Sequence, residues 1–273
     1  MKTLEILFTP ADFAALKRRN LDATLCVVFD VFRATSTMVT ALANGAAAIV
    51  PVDEISEALA VRRREPGVLL AGERDGLRIP AALTGGIEFD LGNSPREFTR
   101  EKVAGKVIVT TTTNGTRALR ACAHARGILI ASFLNLRATG EFIARLRPGN
   151  LLMVCSGTFD QAAYEDVLAA GALCDLLWNT FADGEVSDST LMARQLFQLA
   201  GTNLSAAASQ SRNGRRLLSI PELKDDVAYC LRQDAFGVVA ALQPDGKVKA
   251  VSSEAQGQIN FWTQAGNDHT ALR

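Results

Sequence analysis

The 273-residue chain holds only two histidines, and its five cysteines form no CxxC pair. Histidine-rich zinc sites and chemistry that relies on paired histidines are thereby disfavoured, the more so because His269 falls in a polar C-terminal stretch. Cys26, Cys122, Cys155, Cys174 and Cys230 stand far apart in apolar surroundings and read as buried free thiols. Charge of one sign is also lacking, since 29 Lys+Arg balance 29 Asp+Glu. No global field draws the chain to nucleic acid or to an anionic membrane, so neither is an expected partner. Long apolar runs are missing too: residues 25–29 and 127–131 fall far short of the roughly 18 to 20 residues of a membrane span. The start, Met1-Lys2-Thr3-Leu4-Glu5, has no basic region followed by a long apolar one. A cytoplasmic location is the expectation, and any anionic ligand has to be recognised by a local site.

Short β-branched runs alternate with helical periodicity. Residues 4–8, 25–29, 48–52, 68–70, 107–110, 128–131 and 151–154 read as buried strands. Val167, Gly171, Cys174 and Trp178 share one face of an intervening helix. The pattern predicts an α/β fold, a mostly parallel sheet with helices on both faces. Residues 1–251 form a single catalytic unit in this reading, with closely packed lobes of about 1–125 and 126–251 as an alternative division, and 252–273 a polar tail. From Ser187 to Leu218 the chain reads as helical, and a further helix opens near Pro221. Pro244-Asp245-Gly246 predicts a hairpin turn between residues 238–242 and 248–251. The glycine-rich stretch from Glu73 to Asn93 reads as a long loop, of the kind that is usually functional or mobile.

In open parallel sheets ligands bind beyond the carboxyl ends of the strands. Three such exits carry small polar residues: Asp30 to Thr37, Thr110 to Arg117, and Cys155 to Thr158. Hydroxyls, backbone amides and a nearby arginine at a helix start suit a phosphate, although each is also an ordinary N-cap. Ser94-Pro95-Arg96-Glu97 has the pattern of a capping box, which by itself accounts for Ser94. Glu165 and Asp166 fall in a helical first turn, where the helix dipole favours carboxylates. Several phosphate chemistries are excluded. No GxxxxGK[ST], GxGxxG or GxSxG motif occurs, and neither Cys26 nor Cys155 begins a C-x5-R loop. The second aspartate of haloacid-dehalogenase-like phosphatases, two residues after the first, is here Phe32.

Together Asp30-Val31-Phe32-Arg33-Ala34-Thr35-Ser36-Thr37, Gly72-Glu73-Arg74, Phe89-Asp90-Leu91-Gly92-Asn93-Ser94-Pro95, Thr111-Thr112-Thr113-Asn114-Gly115-Thr116, Ser132-Phe133-Leu134-Asn135 and Glu165-Asp166 resemble, in order, the 2-phosphosulfolactate phosphatases of coenzyme M biosynthesis. The resemblance implies an α/β enzyme that uses magnesium to hydrolyse 2-phosphosulfolactate to sulfolactate and phosphate. It implies a small anionic phosphate ester as partner and a homodimer as assembly. Such a substrate carries phosphate, carboxylate and sulfonate on three carbons, so it needs several positive partners. Asp30, Arg33, Glu73 and Arg74 are the expected catalytic residues, and Arg33, Arg74 and Arg117 the expected guanidinium clamps. Asn93, Ser94, Thr112, Thr113, Asn114, Gly115, Ser156 and Gly157 are expected at the substrate. Asp30, Glu73 and Asp166 are the expected magnesium carboxylates. Two departures stand out: Ala81 to Gly86 resembles an insertion, and the family's late proline is replaced within Val238-Val239-Ala240-Ala241. Another phosphorylated 2-hydroxy acid as substrate, or anion binding without catalysis, are the alternatives.

Overall fold

A computed structural model of the chain describes residues 1–251, and the expected tail, with His269, lies outside the described residues. One 11-stranded sheet runs through the molecule. Its strands are β1 (Thr3–Leu7), β2 (Thr24–Phe29), β3 (Ala48–Pro51), β4 (Leu69–Arg74), β5 (Leu77–Arg78), β6 (Val107–Thr111), β7 (Gly127–Ala131), β8 (Asn150–Cys155), β9 (Glu185–Val186), β10 (Val239–Leu242) and β11 (Val248–Val251). They lie in the order β5-β4-β6-β3-β11-β10-β7-β2-β8-β1-β9. Two parallel blocks, β4-β6-β3 and β7-β2-β8-β1, flank the antiparallel β10–β11 hairpin, which joins them by antiparallel pairing to β7 and β3. β1 and β2 pair with β8 and β7, so the first and second halves of the chain share one sheet.

β2 is buried along its whole length because both faces are covered, the situation that selects an unbroken apolar run in a parallel strand. Its Leu25, Val27 and Phe29 enter one core cluster and its Cys26 and Val28 the other, as the two-residue strand period requires. The helices are α1 (Phe13–Leu16), α2 (Ala34–Ala43), α3 (Ile55–Arg64), α4 (Arg100–Val103), α5 (Gly115–Ala121), α6 (Leu136–Leu146), α7 (Tyr164–Phe181), α8 (Asp188–Ala200), α9 (Leu204–Ser209), α10 (Arg212–Leu218) and α11 (Lys224–Cys230). α1, α2 and α5 supply Phe13, Met38, Val39 and Leu119 to one face, while α6 and α7 supply Phe142, Ile143, Leu168 and Leu173 to the other. The five cysteines are free and buried. Among the described residues no helix is long and apolar enough to cross a membrane.

Local chemistry moves several boundaries. β4 extends beyond its apolar run to Arg74 because Glu73 and Arg74 pair with β5. The stretch from Ser187 to Leu218 divides into three α-helices, since the side chains of Asn203 and Ser211 accept from Ala206 N and Gly214 N and restart the helix each time. The helix expected at Pro221 starts at Lys224. Within the long loop, Ala81–Leu83 makes a short 3-10 turn, and Leu83 there is exposed.

α7 and α8 cross closely at Gly171, where an added Cβ would lie 2.1 Å from the Ala193 carbonyl oxygen. Gly171→Ala therefore has to push α8 outward. It is expected to cost about 1 to 3 kcal/mol and to lower the melting temperature by at least about 2 °C, read by calorimetry. An unchanged melting temperature would show that the crossing yields freely.

Candidate active site

Three antiparallel pairings, β3 to β11, β11 to β10 and β10 to β7, make the two parallel blocks run in opposite directions, yet residues at the ends of four strands, two from each block, close around one cavity of about 100 Å³. Asp30, Phe32 and Arg33 come from the end of β2, Glu73 from the end of β4 with Asp75 and Gly76 from the turn after it, Thr112, Thr113 and Asn114 from the end of β6, and Thr158 and Phe159 from the end of β8. Asn93 and, from α10, Asn213 and Arg216 complete the wall.

Carboxylates stitch these exits together. Asp30 accepts the Ala34 amide at 3.1 Å, which fixes it over the first turn of α2. Glu73 accepts both the amide and the hydroxyl of Thr113, each at 2.9 Å, with one oxygen, and the Gly76 amide at 2.7 Å with the other. Asp166 accepts the Val31 amide at 2.7 Å and the Gly157 amide at 3.2 Å, joining the ends of β2 and β8. Gly115 is set by close approach, because a Cβ there would stand 2.8 Å from the Ala34 Cβ and 3.1 Å from Asp30 Oδ2. Buried hydroxyls of Thr112 and Ser156 have no hydrogen-bond partner, and neither has Glu165 Oε2.

Arg33 is 3% exposed and donates to Asp226 Oδ2 at 2.7 Å and to the Gly76 carbonyl at 2.5 Å. Asp226 also accepts the Ser94 hydroxyl at 2.6 Å. The expected capping box is therefore not formed: Ser94 turns to Asp226, and Glu97 accepts the Gly92 amide instead. Arg74 lies away from the cavity on the Glu73 and Asp53 carbonyls and the Thr111 hydroxyl. Arg117 is half exposed and paired with Asp160. Thus Asp30, Arg33, Glu73, Asn93, Thr112, Thr113 and Asn114 are brought together at the cavity, with Ser94, Gly115, Gly157 and Asp166 directly bonded or packed behind them.

Sequence reasoning gave no site role to Asn213 or Arg216 and did not place Asp226 behind the cavity. Asn213 donates to Glu165 Oε1 at 2.6 Å and to the Thr158 hydroxyl at 2.9 Å. The one available signal was Asp226 itself, a carboxylate four residues before Cys230 and so on the apolar face of its helix.

Burial dominates the electrostatics. Desolvation pushes Asp30 up to about 7, with Glu73 and Glu165 adding repulsion against the Ala34 hydrogen bond and Arg33. Glu165 is also raised, by desolvation working against the Asn213 hydrogen bond. Asp166 is raised well above the carboxylate range by desolvation and by the charges of Glu165 and Asp30. Glu165 and Asp166 lie in the first turn of α7, where the helix dipole favours carboxylates, and both are buried there.

An open α/β sheet with carboxylates, hydroxyls and turn amides converging at its strand exits is the arrangement of an enzyme that acts on a small anion. A family model described as 2-phosphosulpholactate phosphatase matches residues 12–245. Similar proteins include a "Probable 2-phosphosulfolactate phosphatase" of Symbiobacterium thermophilum, 40% identical over 77% of this chain and 88% of its own. Those of Thermotoga petrophila and Caldicellulosiruptor saccharolyticus, with the same description, are 38% identical over 81% and 90% and 37% identical over 78% and 87%. The chain belongs to the 2-phosphosulfolactate phosphatase family and is a hydrolase of the phosphatase class.

Because Asp30 holds its proton more tightly folded than unfolded, the folded state binds the extra proton between about pH 3.8 and about 7. Stability from this group is full below that window and is lost as pH rises through it, by up to about 1.4 kcal/mol per pH unit. The melting temperature of the metal-free protein, taken relative to Asp30→Asn, should fall from pH 4 to 7 and level off above. A difference that does not vary with pH would refute the assignment.

Proposed function

We propose that the protein hydrolyses 2-phosphosulfolactate to sulfolactate and phosphate with magnesium bound at the strand exits. The convergence of Asp30 and Glu73 in one cavity with the unpartnered Thr112 hydroxyl carries this reading. Hydrolysis joins a water oxygen to phosphorus and breaks the bond from phosphorus to the ester oxygen, which leaves as the hydroxyl of sulfolactate.

The residues present fit magnesium. Among the described residues no group of three His, Cys, Asp or Glu side chains could enclose an ion. A hard cation that keeps water and takes substrate oxygens needs only one or two carboxylates. Asp30 and Glu73 would hold it, with Asp166 fixing the Val31 and Gly157 amides behind them. When bound, magnesium neutralises phosphoryl oxygens and acidifies a neighbouring water. The clustered carboxylates of Asp30, Glu73, Glu165 and Asp166 support this reading, because an ester that carries phosphate, carboxylate and sulfonate enters beside them only where their charge is offset. Arg33 keeps N–H donors beyond its two protein bonds and offers them to the phosphoryl group, while Thr112 and Asn114 orient it from the β6 side. Another small phosphorylated 2-hydroxy acid would use the same groups.

Phosphate release from 2-phosphosulfolactate by the pure protein tests the proposal. Turnover should require magnesium and stop with a chelator; no release from this or any related phosphorylated 2-hydroxy acid would overturn it. Arg33→Lys keeps the charge but loses the planar fork, so kcat/KM should fall at least about tenfold, about 1.4 kcal/mol. Unaltered kinetics in that folded variant would remove Arg33 from the site. Glu73→Gln should raise the magnesium concentration giving half-maximal rate, as should Asp166→Asn through the amides it holds. A wild-type magnesium dependence in both would send the metal assignment elsewhere.

A further inference from the structure

Among the described residues lining the cavity, two carry a guanidinium, Arg33 and Arg216. They are held very differently. Arg33 is buried and locked to Asp226. Arg216 is 44% exposed, donates to the Asp75 carbonyl at 2.7 Å, and reaches the Asp75 carboxylate only at 3.9 Å; that carboxylate is 92% exposed. An ion pair so long and so wet is a weak tie, easily exchanged for another anion. The neighbouring arginines are engaged elsewhere and do not line the cavity: Arg212 with the Thr158 carbonyl and Gln161, Arg74 with two carbonyls, Arg117 with Asp160.

Placement matters as much as freedom. Arg33 grips the carbonyl of Gly76 and Arg216 that of Asp75, on consecutive residues of one turn whose Cα atoms are about 3.8 Å apart. The two guanidiniums therefore approach the same short piece of backbone on the wall of one cavity. The ester of the proposed reaction bears acidic groups beyond its phosphoryl, and Asp30, Glu73 and Asp75 leave the rest of the wall acidic.

We propose that Arg216 binds the non-phosphoryl acidic group of the substrate, a carboxylate or a sulfonate, and so sets the preference for an acid-bearing ester over a plain phosphomonoester. The assignment rests on the phosphatase reading of the same cavity. It was not legible beforehand, since Arg216 lies in a run with Arg212 and Arg215 that has no motif of its own.

The test compares wild type with Arg216→Gln, in magnesium, on four esters: 2-phosphosulfolactate, 2-phospholactate with the carboxylate alone, phosphorylated isethionate with the sulfonate alone, and methyl phosphate with neither. The fall in kcat/KM on 2-phosphosulfolactate should exceed that on methyl phosphate at least tenfold, and Arg216→Lys should recover part of it. Whichever single-acid ester shares the larger fall identifies the group read. Equal falls on all four, or none on 2-phosphosulfolactate, would overturn the assignment. Should wild type release no phosphate from any ester, the phosphatase reading fails, and calorimetry with sulfolactate decides the role of Arg216 separately. Binding weakened at least tenfold in Arg216→Gln supports it; equal affinity, or no binding to wild type, overturns it.

Discussion

The Arg33–Asp226 ion pair joins residues 193 positions apart and is almost completely removed from water. Two charges taken out of water are stable only when their remaining hydrogen-bonding groups are satisfied. Here the Ser94 hydroxyl and the Gly76 carbonyl meet part of that demand, and the free Arg33 N–H groups face the cavity. The pair thereby binds α11, the start of α2, the 3-10 turn at Pro95–Glu97 and the turn after β4 into one unit. Gly76 is held from both sides, its carbonyl by Arg33 and its amide by Glu73. A glycine turn that would otherwise drift becomes a fixed wall of the cavity.

Beside this neutral anchor the carboxylates of Asp30, Glu165 and Asp166 are concentrated. Burial raises all three, and neighbouring carboxylates add repulsion at Asp30 and Asp166. Glu165 and the hydroxyls of Thr112 and Ser156 keep polar atoms without partners. A fold selected for stability alone would satisfy these groups or replace them. Their persistence at the strand exits, beside a well-paired group such as Asp226, separates scaffold from working surface.

How much of this the sequence disclosed follows from the range of each interaction. Parallel strands covered on both faces appear as unbroken apolar runs, so β2, β6, β7 and β8 were legible, as was the hairpin through its Pro-Asp-Gly turn. Asp30 and Thr112 to Asn114 could be located because they directly follow such runs. Ser94 and Glu97 were misread because a local capping pattern competed with a distant carboxylate, and the distant carboxylate won. Asn213 and Arg216 reach the site through the packing of α10, whose contacts leave no short-range mark on the chain. The breaks among α8, α9 and α10 depend on the caps Asn203 and Ser211, which the overall polarity of that stretch conceals.

The hairpin at the middle of the sheet has a consequence for the order of assembly. β10 and β11 come after every other strand in the chain, yet they fill the gap between the two parallel blocks. While a ribosome is still adding residues before 239, β7 and β3 have no neighbour on that side and present open backbone groups inside a half-built core. Completion of the sheet is thus deferred until translation has passed residue 251, and nascent chains shorter than that are the ones that need shielding from each other.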